Sequence, residues 1–478
     1  MVVGEVAEGV DLLVVGAGPG GYTAALRAAA LGRSVLLVDR LGDAGIGGVC
    51  LQVGCIPSKA LIEVAEVAHR SAGFADAGLT VGEVSVDLAR FQEWKAVKVG
   101  GLTGGVAELL RRAGVEVAAG EFRFTRPGSG VLQSADDRPP RHLEYTDVVL
   151  ATGSRPVELP GLPRDGERVL SSTDALALSS LPASIAVVGG GYIGLELGTA
   201  FAKLGATVTL VEATDRLLPG VDAALLRPVR QRLRAVGVEV LLGHRVEGLA
   251  DGVLTATGDS GEVRVAAEKV IVAIGRRPNT DGLGLARIGI TPDERGLIPV
   301  GPDRMAAPHV AAIGDITAGP ALAHKATAEG EVAAEALCGR PAAFDPAAIP
   351  AVVFSDPEIA VAGYSADEAR ALGMDVAVAR LPLSASGRAA TMGAVEGFTQ
   401  LVVDRSVDAV VGVHIVGPHA SELIAEGVLA IEMAASPVDL LASIHPHPTL
   451  SEMTSDVARV LLHQPAGATV PASAPAAS

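Results

Sequence analysis

Cys50 and Cys55 are separated by four residues within Gly47-Gly48-Val49-Cys50-Leu51-Gln52-Val53-Gly54-Cys55-Ile56-Pro57-Ser58-Lys59, and the only other cysteine is Cys338. Two thiols this close can cycle between dithiol and disulfide by thiolate attack, and flanking glycines let a flat cofactor approach the backbone. The spacing makes a geometric demand. Residues five apart in an undistorted helix rise about 7.5 Å, beyond the roughly 4.4–6.8 Å between Cα atoms that a disulfide tolerates. A bond between Cys50 and Cys55 therefore requires a local helix distortion, which Gly54 and Pro57 permit. Two unrelated buried cysteines are the bland alternative, since free cysteine is commonly buried, but the dense glycine setting suits a core helix poorly. Zinc fits less well, because Cys338 is distant and no second cysteine pair completes four ligands.

A second cluster, His445-Pro446-His447-Pro448-Thr449-Leu450-Ser451-Glu452, sets a histidine between prolines with a carboxylate five residues on. Such a pair can act as a general base and the acid that orients it. A turn with two surface histidines reads the same residues equally well, and a His-x-His metal site lacks a companion cluster.

The elements that position these groups show a repeat. Asp11–Val15 runs into Gly16-Ala17-Gly18-Pro19-Gly20-Gly21, an Ala-rich helix and a strand ending at Asp39. Ile185–Val188 runs into Gly189-Gly190-Gly191-Tyr192-Ile193-Gly194, a helix and a strand ending at Glu212. In both, the acid falls 18 residues after the third glycine. A glycine fingerprint alone is weak, but each copy follows an apolar strand, opens a helix and ends in a carboxylate at the spacing of a dinucleotide site. Two dinucleotide sites and a dithiol imply an electron path. The dithiol follows the first site, so that site takes a flavin and the second a nicotinamide; Glu212 would repel a 2′-phosphate, which favours NAD over NADP.

Asp147–Pro156 and Val270–Pro278 each read as a buried strand closing on a glycine turn, and are taken as domain junctions. Val310–Asp315 is a strand ending in an acid that points into a ligand crevice or caps a helix. From about Phe344 the pattern changes to separated strands and helices, an α+β domain. The fold class is therefore α/β, with two Rossmann-like dinucleotide-binding domains and a C-terminal α+β domain, which the resemblance given below makes a dimerisation domain. Expected boundaries are 1–150 and 276–345 for the flavin domain, 151–275 for the NAD domain and 346–463 for the interface domain, with a disordered Ala/Pro/Ser tail at 464–478.

With 478 residues the chain suggests several domains. Its 38 basic and 55 acidic residues give a net charge of −17, which argues against nucleic acid as a partner. No basic residue precedes Arg27, the wrong charge order for a signal peptide, and the apolar runs are too interrupted for a membrane span. A soluble, cytoplasmic protein is expected, and three cysteines fit a reducing compartment in which a vicinal pair is catalytic.

Together these motifs resemble the flavin disulfide oxidoreductases, and within them the members that oxidise dihydrolipoamide for 2-oxo acid dehydrogenase complexes. The resemblance covers almost the whole chain. It implies that Cys50 exchanges with substrate, that Cys55 is the flavin-side charge-transfer thiolate, and that His447, oriented by Glu452, is the base. Lys59 and Glu196 resemble an ion pair beside the flavin ring, and the helix near His324 would aim its positive end at the reduced flavin. For FAD the resemblance implies contacts from Gly16, Gly18, Gly21, Asp39, Arg40, Gly48, Val49, Lys59, Gly120, Thr152, Gly153, Ser154, Asp315, Ala321, Leu322, Ala323 and His324. For NAD it implies Gly189, Gly191, Tyr192, Ile193, Gly194, Glu196, Glu212, Val246 and Gly275, with no metal.

The base serves the disulfide of the other subunit in this family, so an obligate homodimer is implied. The partner would be a lipoyl-bearing acyltransferase or a glycine-cleavage lipoyl protein, because no lipoyl domain precedes Gly16. Three departures stand out: Asp39 replaces the usual glutamate, the loop from it to Cys50 is longer, and Thr327 stands where an acid is frequent. A missing C-terminal cysteine pair argues against mercuric reductase. The nearest rival is an NAD(P)H-dependent reductase of a low-molecular-weight disulfide such as those of glutathione or mycothiol. A flavoprotein fold kept as an inactive assembly subunit is a further alternative, disfavoured by intact Cys50, Cys55, His447 and Glu452.

Overall fold

The structure, a computed structural model, describes residues 7–134, 138–259 and 261–463. The C-terminal segment 464–478 expected to be a tail lies outside them. The described residues form two compact units, one from those up to 182 together with 269–345, the other from 183–268 together with those from 346 on. Residues 151–182 and 269–275 group with the first unit.

In the first unit, near-continuous runs of Val and Leu make strands buried on both faces, as a parallel sheet requires. Its central strand, Glu8–Val15, lies between Val35–Asp39 and Arg141–Leu150, all parallel. Glu116–Ala119 extends one side in parallel, and Val310–Ala312 followed by Met305–Ala307 extends the other. Helix Pro19–Ala30 makes the crossover from the first strand to the second, starting at Pro19, where a missing N–H costs nothing. Helix Ala323–Leu337 lies so close to it that a β-carbon on Gly330 would come within 2.5 Å of the Gly20 carbonyl oxygen. The stretches read as junctions pair with each other as short antiparallel strands, Ser154–Pro156 with Arg276–Pro278.

In the second unit the repeat recurs: Ser184–Val188, Thr207–Val211 and Glu239–Leu241 are parallel, with helix Tyr192–Lys203 as the crossover. A three-stranded antiparallel sheet spans His244–Ala266. Residues from Ala351 build a five-stranded sheet, antiparallel throughout, in the order Ala351–Val353, Glu358–Gly363, Ala409–Gly417, Phe398–Asp404, Val376–Pro382. Helices Ala420–Glu432 and Glu452–Leu462 pack on it through Ile424, Ile431, Val457 and Ala458. The architecture is α/β with a C-terminal α+β region.

One stretch departs from the expectation about membranes. By length and hydropathy alone, Gly48–Ser71 could span a bilayer. It is, however, two helices, Gly48–Val53 and Cys55–Ser71, broken at Gly54 (φ −131°, ψ −109°), and it carries Lys59, Glu63, Glu66 and Arg70.

Candidate active site

The helix break falls between the two cysteines. Cys50 ends up near the middle of a six-residue helix and Cys55 at the first position of the next. Their thiols come within hydrogen-bonding reach, and that bond with Cys55, ahead of burial and the negative charge of Cys55, holds the Cys50 proton far above the usual thiol range. Lys59 pulls the other way and Asp315 adds to the rise. The two thiols therefore do not titrate independently, and a second proton leaves the pair much less readily than the first. Burial, then the charge of Cys50, raises the phenol of Tyr22.

The short cysteine helix rests on the first glycine loop. Gly47 (φ +88°) donates its N–H to the Ala17 carbonyl at 2.9 Å, and at Gly48 (φ +56°) a β-carbon would lie 2.6 Å from the Gly18 Cα. Gln52 secures the preceding loop, its amide donating to the carbonyls of Ala44 and Ile46.

The loop itself has the geometry of a pyrophosphate cradle. Gly16 (φ +109°) turns against Ala151, a β-carbon on Gly21 would strike the Gly16 carbonyl, and Gly18 faces open space. Asp39 accepts from the backbone N–H of Ala17 at 3.1 Å and of Leu41 at 3.0 Å. Arg40 is exposed beside it. Gly120 adopts φ +153° and donates its N–H to the Asp39 carbonyl at 2.9 Å, and Val49 is half exposed on the cysteine helix.

At the carboxyl end of the same sheet, Asp315 occupies a one-turn helix, Gly314–Ile316, and accepts from the Ser154 hydroxyl; it caps no longer helix. Arg276 donates to the Ser154 hydroxyl at 2.8 Å and to its carbonyl at 2.6 Å. Thr152 bonds the Asn279 carbonyl at 2.7 Å, and Gly153 (φ +67°) faces open space. Helix Ala323–Leu337 begins after Leu322 with no side-chain cap, next to exposed Ala321 and His324.

The second loop repeats the first. Gly191 faces open space, a β-carbon on Gly194 would lie 2.0 Å from the Gly189 carbonyl oxygen, and Glu212 accepts the Gly190 N–H at 2.6 Å. The other Glu212 oxygen accepts from the Thr214 N–H and hydroxyl, both at 2.8 Å. Tyr192 is exposed, Ile193 and Val246 are half-buried, and Gly275, in the first unit, adopts φ +129° with open space beside it. Glu196 is buried and accepts the Phe354 N–H at 2.9 Å, while Lys59 belongs to the first unit.

In the second unit His447 Nδ1 lies 2.8 Å from Glu452 Oε1, and the other oxygen of Glu452 accepts the Thr449 N–H at 2.8 Å. The Thr449 N–H, then the His447 ring, holds the Glu452 carboxyl below the usual range, so it stays ionised. With Nδ1 engaged, Nε2 of His447 is the nitrogen left to exchange a proton, on a side chain 80% exposed. His445 is committed elsewhere, its Nε2 2.7 Å from Glu426, so the two histidines are not equivalent. No motif in the sequence singles out Glu426 or Arg276. Among the described residues no group of three His, Cys, Asp or Glu is arranged to hold a metal.

A thiol pair seated on one glycine cradle, a second cradle, and a histidine with its carboxylate define a flavin- and nicotinamide-linked disulfide oxidoreductase. Residues 10–330 match the pyridine nucleotide-disulphide oxidoreductase family and residues 349–458 its dimerisation domain. The chain belongs to that family, whose cofactors are FAD and NAD.

It is 45% identical over 470 residues to the dihydrolipoyl dehydrogenase of Geobacillus stearothermophilus, covering 97% of this chain and 99% of the relative. Against the dihydrolipoyl dehydrogenase of Halobacterium salinarum the identity is 46% over 467 residues, covering 96% and 97%. Among solved structures, LpdA from Mycobacterium tuberculosis superposes with a TM-score of 0.87 at 29% identity, over 95% of this chain and all of that one. The HOCl-induced flavoprotein disulfide reductase RclA of Escherichia coli gives 0.83 at 26%, over 94% of this chain and all of that one.

Proposed function

We propose that this chain oxidises protein-bound dihydrolipoamide to lipoamide at Cys50 and Cys55 and passes the electron pair through FAD to NAD⁺, as a dihydrolipoyl dehydrogenase. The observation that carries the reading is the seating of the Cys50 helix on the first glycine loop, with Gly47 bonded to Ala17 and Gly48 against Gly18.

FAD, held by the first glycine loop, would supply the two-electron acceptor between the dithiol and NAD⁺. The chain's own residues do the rest. A substrate thiolate attacks Cys50 of the oxidised pair, giving a mixed disulfide and releasing Cys55 as thiolate. The second substrate thiol then displaces Cys50, which leaves a lipoamide disulfide and an enzyme dithiol. His447 takes the substrate thiol proton at Nε2, Glu452 fixing the ring through Nδ1. The upward shift of the Cys50 thiol, bonded to Cys55, supports Cys55 as the flavin-side thiolate.

Asp39 and Asp315 are assigned to FAD ribose and ribityl hydroxyls, with Arg40, Gly120, Thr152 and Gly153 beside them; Gly48, Val49, Lys59 and the Ala321–His324 turn are assigned to the ring. Glu212 is assigned to the NAD ribose, with Tyr192, Ile193, Glu196, Val246 and Gly275 along that cofactor. The proposed domains are FAD on 1–150 and 276–345, NAD on 151–275 and subunit contact on 346–463, although Thr152, Gly153 and the rest of 151–182 and 269–275 group with the first unit.

The dimerisation domain supports a homodimer. An exposed apolar run in that region, with Leu429 at 62%, Met433 at 72%, Val438 at 53% and Ile444 at 99%, suits a covered surface. His447, exposed in the same region, would serve the partner's thiol pair. The lipoyl group would arrive on an acyltransferase or a glycine-cleavage carrier, in a reducing cytoplasm.

Purified protein assayed with NAD⁺ plus dihydrolipoamide, against NADPH plus glutathione or mycothiol disulfide, tests the reading. Turnover is expected with the first pair; turnover only with NADPH and a small disulfide overturns it.

A further inference from the structure

Behind Asp315 lies a buried charge cluster that neither the thiol chemistry nor the nucleotide loops use. Glu329 is fully buried, with a side-chain exposure of 0%, and Lys325, one helical turn earlier, shows 1%. Lys325 Nζ lies 3.0 Å from the Glu329 carboxylate and Arg304 Nη1 2.7 Å from it. This placement breaks two local rules. Lys325 is the third residue of helix Ala323–Leu337, at the positive end of the helix dipole, and it is a cation removed from water. Arg304 reaches Glu329 from a left-handed backbone (φ +64°), and its Nε is buried with no hydrogen-bond partner. Rule-breaking of this kind concentrates at functional sites.

The cluster is aimed at one turn. The Glu329 carboxylate accepts the Gly314 N–H at 2.7 Å, and Lys325 Nζ donates to the Gly314 carbonyl at 3.2 Å. Both backbone polar groups of Gly314 therefore end on the same ion pair. Lys325 also donates to the Thr317 hydroxyl at 3.1 Å, and that hydroxyl donates to the Gly314 carbonyl at 2.9 Å. Gly314 itself is left-handed (φ +75°), and a β-carbon there would lie a close 3.3 Å from Ala326 Cβ. The turn is thus built on the first helical turns of Ala323–Leu337, and the next residue along it is Asp315.

We propose that Glu329, with Lys325 and Arg304, is a positioning residue for the flavin. It locks the Gly314–Thr317 turn to the start of helix Ala323–Leu337, so that Asp315 and the helix N-terminus meet the cofactor as one rigid unit. The Ser154 hydroxyl, itself bonded by Arg276, donates to the Asp315 side chain. The inference rests on the reading that Asp315 contacts FAD.

The test uses full-length protein stripped of flavin, titrated with FAD by fluorescence, with NAD⁺ affinity measured on the same samples. Glu329→Gln, which removes the charge and keeps the shape, is expected to raise the FAD Kd about tenfold, the order seen when groups supporting a ligand contact are lost. Thr317→Val should shift Kd the same way by less, and NAD⁺ affinity should hold. A wild-type FAD Kd in Glu329→Gln, or FAD and NAD⁺ affinities falling together, overturns the clamp. If Glu329→Gln does not fold, Thr317→Val decides, and an unchanged FAD Kd there overturns it. Asp315→Asn separates the two ideas: wild-type FAD affinity in that variant overturns the contact reading, whereas loss there with none in Glu329→Gln overturns the clamp alone.

Discussion

Gly48 and Gly18 touch backbone to backbone: a β-carbon on Gly48 would sit 2.6 Å from the Gly18 Cα, a distance side chains do not tolerate. The helix carrying Cys50 and the loop assigned to the flavin pyrophosphate are therefore one packed object, and neither can shift without the other. Gly48→Ala meets both this clash and the φ of +56°, strain on the order of 1–3 kcal/mol. We expect FAD affinity and the reactivity of the thiol pair to fall together. A fluorescence titration with FAD beside a thiol-modification rate checks it, and loss of one without the other would contradict the shared packing.

The two cysteines are predicted to differ spectroscopically. The hydrogen bond with Cys55 raises the Cys50 thiol, which supports the proposed assignment of the thiolate of the reduced pair to Cys55. Anaerobic reduction should give a long-wavelength charge-transfer band that Cys55→Ser abolishes and Cys50→Ser retains without any reductant. A band that survives in Cys55→Ser would reassign the flavin-side thiol.

His447→Gln should bind FAD as wild type yet lose dithiol oxidation by about 10²–10⁴-fold, the range for removing a general base. Glu452→Gln should lose less, since it removes the orienting charge and leaves the imidazole in place. Retained turnover in His447→Gln would refute its role. His445→Gln serves as the control, because its ring is held by Glu426 rather than left to exchange protons, and its turnover should change little.

What could be read from the chain and what could not divides along sequence distance. The glycine loops, their helices and their terminal acids are contiguous patterns, so both nucleotide folds were legible, as was His447 with Glu452 only five residues away. The helix break at Gly54 followed from the reach of a disulfide. Contacts across long separations left no trace: Ser154 meets Asp315 from 161 positions away, and Arg276 joins them from 122. Lys325 and Glu329 show the i,i+4 spacing of an ordinary surface pair; only burial, which the alanine-rich helix hides, marks them as something else. Thr214, whose N–H and hydroxyl fix the outer oxygen of Glu212 from only two residues away, belongs to no motif and so went unmarked despite its nearness.

Coenzyme choice should follow Glu212. Its carboxylate, oriented by Gly190 and Thr214, would lie where the 2′ position of the adenosine ribose is read, favouring a hydroxyl and repelling a phosphate. Glu212→Ala is expected to raise KM for NAD⁺ about ten- to a hundredfold, as loss of one charged hydrogen bond of about 1.5–3 kcal/mol would, and to narrow the preference over NADP⁺. Equal KM for NAD⁺ in the variant and wild type would remove Glu212 from ribose recognition.

Acid sensitivity should arise in the C-terminal sheet. His414 is buried on strand Ala409–Gly417, its Nδ1 3.3 Å from the Gln400 amide, and burial pushes its pKa down; Asp222 and Glu368 nearby oppose the shift, Arg380 reinforces it, and a backbone hydrogen bond with Tyr364 opposes it. The folded state therefore holds a neutral imidazole where the unfolded chain binds a proton below about pH 6.5. With more protons bound in the unfolded state, stability rises with pH; this contribution is absent above the unfolded value and turns destabilising as pH falls through it. Between about pH 7.5 and 5.5 the Tm of wild type should drop more steeply than that of His414→Gln, which cannot titrate. Parallel Tm curves would mean that another group, or none in this sheet, sets the acid limit.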